Sequence, residues 1–245
     1  MKDWFKWNGV SCLDYGIRVT EQPDITIALE RTEEVTVPGR SGSLHLTEGE
    51  DVFDDVTLKC TCYLPDSTRI PEIAAWLKGT GKLEFANRAG GFYYARLSEN
   101  PAFERIMRGR TALSFDLEFV CKPFWYSEPV ETQSFSSQGY MIHGSGTVRA
   151  DPLITVFGTG DITLMVNGTT VHLEDLETNI TLDCEAGIAY STNDGVLSWA
   201  GEKVALEDGE WPYLKPTGQY NLFNWTLGDG ARLDHITVQC NWRYL

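Results

Sequence analysis

The chain has 245 residues, enough for one large or two ordinary domains that each bury a hydrophobic core without disulfide support. Hydrophobic residues make up 42% and charged residues 22%, a balance typical of a folded globular protein and not of a disordered one. The formal net charge of −15 argues against a nucleic-acid clamp or a binder of anionic membranes, because both need clustered Lys and Arg. No apolar run is long enough to span a bilayer and no secretory signal opens the sequence, so folding in a cytoplasm is expected.

The first part of the chain is polar and extended in pattern. In residues 21–50, Val35 and Val37 alternate with polar residues before a glycine-rich turn. Residues 48–55 (EGEDVFDD) then form an acidic run made of Glu48, Glu50, Asp51, Asp54 and Asp55. Clustered carboxylates can bind Ca²⁺, but this run lacks the alternating acidic spacing and the glycine of an EF-hand loop. We therefore interpret it as a solvated loop that leads into a strand.

Apolar residues at every second position, the signature of a strand with one buried face, dominate the sequence. In the first half this alternation predicts strands at 56–63 and at 113–121. In the second of these, the apolar positions are Leu113, Phe115, Leu117, Phe119 and Cys121. A single helix is predicted at 71–78, because Pro71 suits a first helical turn and Gly79 suits a C-terminal stop.

Residues 131–146 (ETQSFSSQGYMIHGSG) lose this alternation and are rich in Ser, Gly and Gln, which indicates a domain junction. We place the N-terminal domain at 1–135, the junction at 136–146 and the C-terminal domain at 147–245. The C-terminal domain should contain hairpins that turn at Asn167-Gly168 and at 193–195, and a last alternating strand from residue 235 to the end. The fold class is mainly β, with two β-sandwich domains and one α-helix on the first.

Chemistry-bearing motifs are absent from the sequence. The six cysteines are scattered without a C-x-x-C pair and are interpreted as reduced core thiols. The histidines His45, His143, His172 and His235 lie far apart, so neither a metal site nor a cofactor is predicted. No nucleophile elbow, Walker loop or dinucleotide fingerprint occurs, and no catalytic residue is assigned. The chain is therefore predicted not to be an enzyme. A glycan hydrolase whose two carboxylates come together only in the folded structure is kept as an alternative.

Aromatic residues are frequent in the C-terminal domain, where they can either build the core or stack on sugar rings. Trp242 alternates with polar residues and is expected in the core. Trp211 and Tyr213 lie in the proline-containing stretch EWPYLKPTGQ and are the candidate carbohydrate contacts. Both interpretations of these aromatic residues stay open at this point.

Several segments, taken in order, resemble one protein family. The N-terminal segments are WNGVSCLDYGIRV, ERTEEVTVPGRSGSL and VFDDVTLKCTCYL, within which residues 38–42 (PGRSG) are the most diagnostic. IAAWLKGTGKLEF, SFDLEFVCKPFWY, DPLITVFGTGDITLMVNGTTVHL and NITLDCEAGIAY extend the similarity along nearly the whole chain. In this order and spacing they resemble the distal tail (Dit) proteins of siphophages.

The resemblance implies a structural virion protein at the tip of a long non-contractile tail, assembled in the host cytoplasm. It implies a homo-hexameric ring around a channel through which DNA passes, with the tail tube protein on one side and the tail-associated hub protein on the other. It also implies a galectin-like or carbohydrate-module-like C-terminal domain that can dock a receptor-binding protein. No cofactor and no membrane insertion are implied.

The ring would bring the polar segment of the first domain against a neighbouring copy. An extended β-arm would pair with that copy, and a heterologous contact repeated around an axis closes a ring. Arg31, Pro38, Gly39, Arg40 and Gly42 are the predicted interface residues, with Arg31 and Arg40 making charged contacts. The negative charge of the chain would keep DNA mobile in the channel. The alternative function is a carbohydrate-binding β-sandwich that acts as a lectin or adhesin.

Overall fold

The structure of the chain is a computed structural model that describes residues 3–47, 49, 51–106 and 111–245. It divides into two compact units, residues 1–128 with Leu245 and residues 129–244. Both units are built mainly from antiparallel strands, and one short α-helix lies in the first. The mainly β fold class predicted from the alternation is confirmed.

The first unit contains strands β1–β11, the helix α1 and three short 3₁₀ helices. The strands are β1 Phe5–Trp7, β2 Val10–Ser11, β3 Arg18–Glu21, β4 Thr32–Thr36, β5 Ser43–Thr47, β6 Val56–Leu64, β7 Thr80–Phe85, β8 Gly91–Leu97, β9 Glu104–Arg105, β10 Leu113–Cys121 and β11 Trp125–Ser127. The helix α1 is Ile70–Trp76, and the 3₁₀ helices are Cys12–Tyr15, Ser67–Arg69 and Ala86–Arg88. In the main sheet the strand order is β2-β1-β7-β8-β10-β6-β3, with β9 beside β10 and β11 beside β8.

The centre of this sheet is the pair β6–β10, which stays in register over nine residues from Leu113↔Leu64 to Cys121↔Val56. The predicted apolar positions of β10 are buried, and Leu117, Phe119 and Cys121 are fully so. The helix covers the same core through Ile73, and Pro71 lies in its first turn as predicted. It ends at Trp76, two residues before the predicted end, and Gly79 follows with a positive φ.

The cysteines are free thiols, as predicted, and every one is buried. Cys60 and Cys62 share the buried face of β6, and their Sγ atoms lie 3.9 Å apart. The hydrogen bond between the two thiols, together with burial, raises the pKa of Cys62. Burial raises the pKa of Cys12 to about 11 and that of Cys121 to about 12, so these thiols stay protonated at neutral pH.

The second unit contains strands β12–β22 and one 3₁₀ helix, Gly201–Lys203. The strands are β12 Thr132–Phe135, β13 Tyr140–His143, β14 Leu153–Val166, β15 Thr169–Leu176, β16 Asn179–Asp183, β17 Ile188–Asn193, β18 Val196–Trp199, β19 Val204–Leu206, β20 Tyr220–Leu227, β21 Arg232–Gln239 and β22 Arg243–Tyr244. One layer has the order β12-β21-β14-β16-β17-β18 and the other has the order β13-β20-β14-β15-β19. The buried faces of the two layers form a single core.

The 14-residue strand β14 belongs to both layers. Its first half pairs with β16 and β21, and its second half pairs with β15 and β20. Register shifts at Phe157/Gly158 and Gly160/Ile162 mark the bend between the halves, as expected where a strand passes from one layer to the other. A Cβ added to Gly158 would lie 2.2 Å from the carbonyl oxygen of Arg232, so only glycine fits there.

Two local predictions for the second unit differ from the structure. Strand β13 lies within the predicted junction 136–146, and β12 ends directly before it. The two compact units divide earlier, between Glu128 and Pro129. The polar, glycine-rich sequence gives little strand signal here, because β12 and β13 each bury a single side chain, Phe135 and Ile142. The final strand is also interrupted, because Asn241 adopts a φ of 49° between β21 and β22.

Other local predictions are confirmed. Asn167 and Gly168 turn the β14–β15 hairpin with φ values of 54° and 105°, the positive angles of a type I′ turn. Asp194 and Gly195 turn the β17–β18 hairpin in the same way. Trp242 is buried in the core of the second unit.

Candidate functional site

The strands β4 and β5 form a hairpin that is a two-stranded sheet of its own. We call residues 32–47 the arm. Its pairing runs from Thr32↔Thr47 to Thr36↔Ser43, and at about 3.3 Å per residue each strand is roughly 16 Å long. Most of its side chains are exposed; Val35 and Val37 are half-buried. An extended arm in the first unit, expected from the sequence, is therefore present.

The tip of the arm contains four of the five predicted interface residues. The backbone N–H of Arg40 donates to the carbonyl of Val37 at 3.1 Å, which closes a turn through Pro38 and Gly39. Gly39 and Gly42 have φ values of 83° and 81°, conformations that favour glycine. Residues 38–42 of the turn are exposed, and within the described part of the chain the Arg40 guanidinium has no hydrogen bond or ion pair.

Arg31, the fifth predicted interface residue, lies at the base of the arm and not at its tip. Its Nε donates to Oδ1 of Asp54 at 2.8 Å, and its backbone N–H donates to the carbonyl of Val52 at 2.9 Å. The N–H of Asp54 donates to the carbonyl of Leu29, and Glu30 pairs with Phe53 in an isolated bridge. Arg31 thus contributes to anchoring the arm within its own chain, using one carboxylate of the acidic run.

Residues 51–55 of that acidic run lie outside the named strands. Asp51 has a φ of 58°, and Asp54 and Asp55 are exposed. Glu48 and Glu50 lie outside the described residues. Among the residues that the structure describes, no three His, Cys, Asp or Glu side chains group in a way that could hold a metal ion.

The segment that leads into the arm has a feature that the sequence interpretation missed. Ile25, Ile27 and Leu29 are 60%, 65% and 77% exposed, whereas the intervening Ala28 is buried. We call these three residues the apolar segment. Asn87 holds its start by donating to the carbonyl of Pro23 at 2.7 Å, and its end is held by the contacts of Leu29 and Arg31 described above.

The three side chains of the apolar segment therefore face outward from a backbone that is fixed at both ends. Within the described residues, the backbone of 24–28 takes part in no backbone–backbone hydrogen bond. The alternation of Ile25, Ile27 and Leu29 is visible in the sequence and indicates a shared face. It could not indicate whether another part of the chain covers that face.

The two candidate carbohydrate contacts are engaged within the second unit. Trp211 is half-buried, packs against the core and has its indole Nε1 near Gly187. Tyr213 is half-buried, and the Arg149 guanidinium lies 5.3 Å from its ring centroid. Among the other tryptophans of the described chain, Trp199 is the most exposed, at 66%, and it lies at the end of the edge strand β18. Sequence pattern did not distinguish Trp199 from the core aromatics.

The described residues include no helix long and apolar enough to cross a membrane.

His172 is held by Thr163, with 3.0 Å between Nδ1 and Oγ1, and His235 stacks on Phe157.

Comparison with known proteins links this arrangement to one fold. The SPP1 Dit (gp 19.1) protein, described as a paradigm of the hub adsorption apparatus in phages that infect Gram-positive bacteria, superimposes with a TM-score of 0.74. The match covers 100% of both chains at 16% identity. The chain has a Dit-type fold. The resemblance to distal tail proteins seen in the sequence is thereby confirmed at the level of the fold.

A second similar structure is a chain of the phage P2 baseplate in its activated conformation with Ca. It matches with a TM-score of 0.54 at 9% identity, over 97% of each chain. No protein-family profile and no curated protein matches the sequence. The Dit-type fold is therefore a finding of the three-dimensional comparison, which covers the whole chain.

Proposed function

We propose that this chain is a structural protein of the distal end of a long, non-contractile phage tail, where copies of it close into a hexameric ring. The ring joins the tail tube protein to the tail-associated hub protein and to the host-recognition apparatus, including a receptor-binding protein. It resides in the virion, is assembled in the host cytoplasm, and performs no reaction. The observation that supports this proposal is the full-length likeness to SPP1 Dit, which leaves no part of either chain unmatched.

The surface proposed for ring closure is the apolar segment together with the arm. Three large aliphatic side chains exposed at 60–77% on one short stretch form a surface of the kind that partners cover. The segment and the arm tip occupy different places on the first unit, so a contact between them and a neighbour joins two unlike surfaces. A contact of that type, repeated with the appropriate rotation, generates a closed ring.

The arm also offers backbone groups for pairing. In the described chain β4 pairs only with β5, so the outer edge of each strand is open to a strand of a neighbouring copy. Arg40 lies at the exposed tip with Pro38, Gly39 and Gly42, where a neighbouring carboxylate can receive its guanidinium. Arg31 stays a predicted interface residue that also fixes the arm base through Asp54.

The charge of the chain fits passage of DNA through the ring. At −15 per subunit, a hexamer repels the phosphate backbone and does not hold it. A solved ring whose lumen is strongly basic would contradict this part of the proposal.

The test of self-assembly is the mass of the purified full-length protein, measured by light scattering and by native mass spectrometry, with negative-stain microscopy of the same sample. The expected result is a hexamer of 27.5 kDa subunits with a central hole. Arg40→Glu should shift the protein to smaller species, whereas Arg40→Lys keeps the charge and should retain the ring. A protein that remains monomeric would contradict the proposed ring. An Arg40→Glu variant that assembles fully would contradict the proposed interface role of Arg40.

A further inference from the structure

The arm is an amphipathic hairpin whose apolar side is uncovered. Leu44 and Leu46 of β5 share one face with Val35 of β4, because Val35 and Leu44 are cross-strand partners. The partners Glu34 and His45 lie on the other face. Within the described residues none of the three apolar side chains packs against the core of the first unit, and Leu46 is 51% exposed. A hairpin of two strands is only marginally stable in water, so a third strand or an apolar surface is needed to hold it.

The strand β3 offers an open sheet edge in the same unit. It is the edge strand of the main sheet and pairs only with β6, and residues 18–21 make no other backbone–backbone hydrogen bond within the described residues. Val19 is buried on the core side of β3, so its neighbour Arg18 points to the opposite side. Within the described part of the chain the exposed Arg18 guanidinium has no hydrogen bond or ion pair. Both the backbone edge and this cation are therefore available to a partner.

A groove with an apolar lining lies beside the first residues of β3. It has a volume of about 530 Å³ and is lined by Leu13, Ile17, Val19 and Pro65, together with Asp3, Gly16 and Arg18. Leu13 is 39% exposed, whereas Ile17 and Val19 are buried. A strand added to the β3 edge can therefore place aliphatic side chains in this groove.

The arm of the same chain does not reach this edge. β3 pairs with residues 61–63 near one end of β6, whereas the base of the arm is held at residues 52–54, before the other end of β6. At about 3.3 Å per residue, the chain from Asp54 to Cys62 covers roughly 26 Å, but each arm strand is only roughly 16 Å long. The arm that fits the β3 edge is therefore the arm of a neighbouring copy.

We propose that β5 of one copy adds to the free edge of β3 in the next copy, with Leu44 and Leu46 in the groove and Glu34 beside Arg18. Strand addition supplies backbone hydrogen bonds to both edges. The apolar face of the arm then lies on the core side of β3, and its polar face lies on the side of Arg18. In the extended sheet β4 lies about 10 Å from β3, a distance that an arginine and a glutamate side chain together span.

This inference rests on the proposed ring and names the surface on which the arm docks. The arm base and the β3 edge lie at opposite ends of β6, so the contact joins two unlike surfaces. Each copy then gives its arm to one neighbour and receives the arm of the other, which is the arrangement that closes a ring.

The first test is a charge exchange in the full-length protein, with association measured by native mass spectrometry across a dilution series. Arg18→Glu and Glu34→Arg should each weaken association at least about tenfold, because each places like charges side by side. The double variant should recover most of that loss. The matched control combines Arg18→Glu with Glu33→Arg, whose side chain lies on the apolar face of the arm, and should not recover. Unchanged association in the single variants, or equal recovery with Glu33→Arg, overturns the proposal.

The second test separates the two halves of the contact. An arm variant, Leu44→Ser with Leu46→Ser, keeps the groove, and a groove variant, Leu13→Ser with Arg18→Glu, keeps the arm. At a dilution where the unmodified protein is assembled, each variant alone should be monomeric. An equimolar mixture should give a species of two subunits, because only one arm–groove contact is then possible.

Urea unfolding of the diluted samples should show that all variants are folded. If the unmodified protein forms a ring but the mixture stays monomeric or closes rings, the arm–groove contact is wrong and the proposed function stands. A monomeric unmodified protein overturns the proposed ring and the arm–groove contact together.

Discussion

The apolar segment allows ring assembly to be separated from folding. Replacing Ile25, Ile27 and Leu29 together by Ser removes three aliphatic side chains that are 60%, 65% and 77% exposed in the subunit. Complete burial of such a side chain stabilises by about 2 kcal/mol, so covering the exposed parts contributes about 4 kcal/mol to each subunit contact. The triple variant should therefore weaken each contact roughly a thousandfold. Its free energy of unfolding should change little, since exposed substitutions each have effects of about 0.5 kcal/mol or less.

The assay is native mass spectrometry across a dilution series, with urea unfolding of the same samples. The unmodified protein should remain assembled at dilutions where the triple variant is monomeric. The unfolding midpoints should agree at dilutions where both proteins are monomeric, because assembly itself stabilises the folded subunit. The control is the double replacement of Val196 and Leu197 by Ser, because these residues of β18 are 64% and 67% exposed but belong to the second unit. If the triple variant assembles as tightly as the unmodified protein, the apolar segment is not the ring contact.

Three further predictions concern the stability of the fold. Asp151→Asn breaks the 2.7 Å ion pair with Arg243, whose side chain is only 8% exposed. The free energy of unfolding in urea should fall by about 3 kcal/mol. A fall of less than about 1 kcal/mol would contradict the pairing. Gly158→Ala forces a Cβ against the Arg232 carbonyl and should cost about 1–3 kcal/mol with loss of the β14 bend; an unchanged melting temperature would show that the bend tolerates a side chain. The third concerns pH. Burial raises the pKa of Cys12 from 9.0 to about 11, so above pH 9 only the unfolded state loses this proton, and stability should fall as pH rises from about 9 to 11. Cys12→Ala should make that fall shallower without removing it, because burial raises the pKa of Cys121 as well.

Much of the local structure could be predicted because it depends on residues close together in the chain. The alternation of Leu113 to Cys121 defines a strand and its buried face, and Asn167-Gly168 supplies two positive φ angles wherever it occurs. Pro71 lies in the first turn of the helix and Gly79 follows its last turn, so these two residues mark its ends. The arm tip at 38–42 was also recognised from sequence, since its glycines are needed for the turn itself.

The candidate sites were predicted less completely, because exposure depends on what the rest of the fold covers. Ile25, Ile27 and Leu29 have the same pattern as a core strand, yet they face solvent. Trp211 and Trp199 are both tryptophans in polar surroundings, but the first packs on the core and the second lies open above Gly201.

The sequence by itself determined the strand periodicity, the hairpin turns, the single helix, the reduced cysteines and the order of segments that resembles a distal tail protein. Only the tertiary structure decided that β14 serves two layers, that the units divide after Glu128, and that Asn241 interrupts the last strand. The physical reason is that periodicity fixes which side chains share a face, whereas the partner of each strand edge and the cover of each face come from residues distant in the chain.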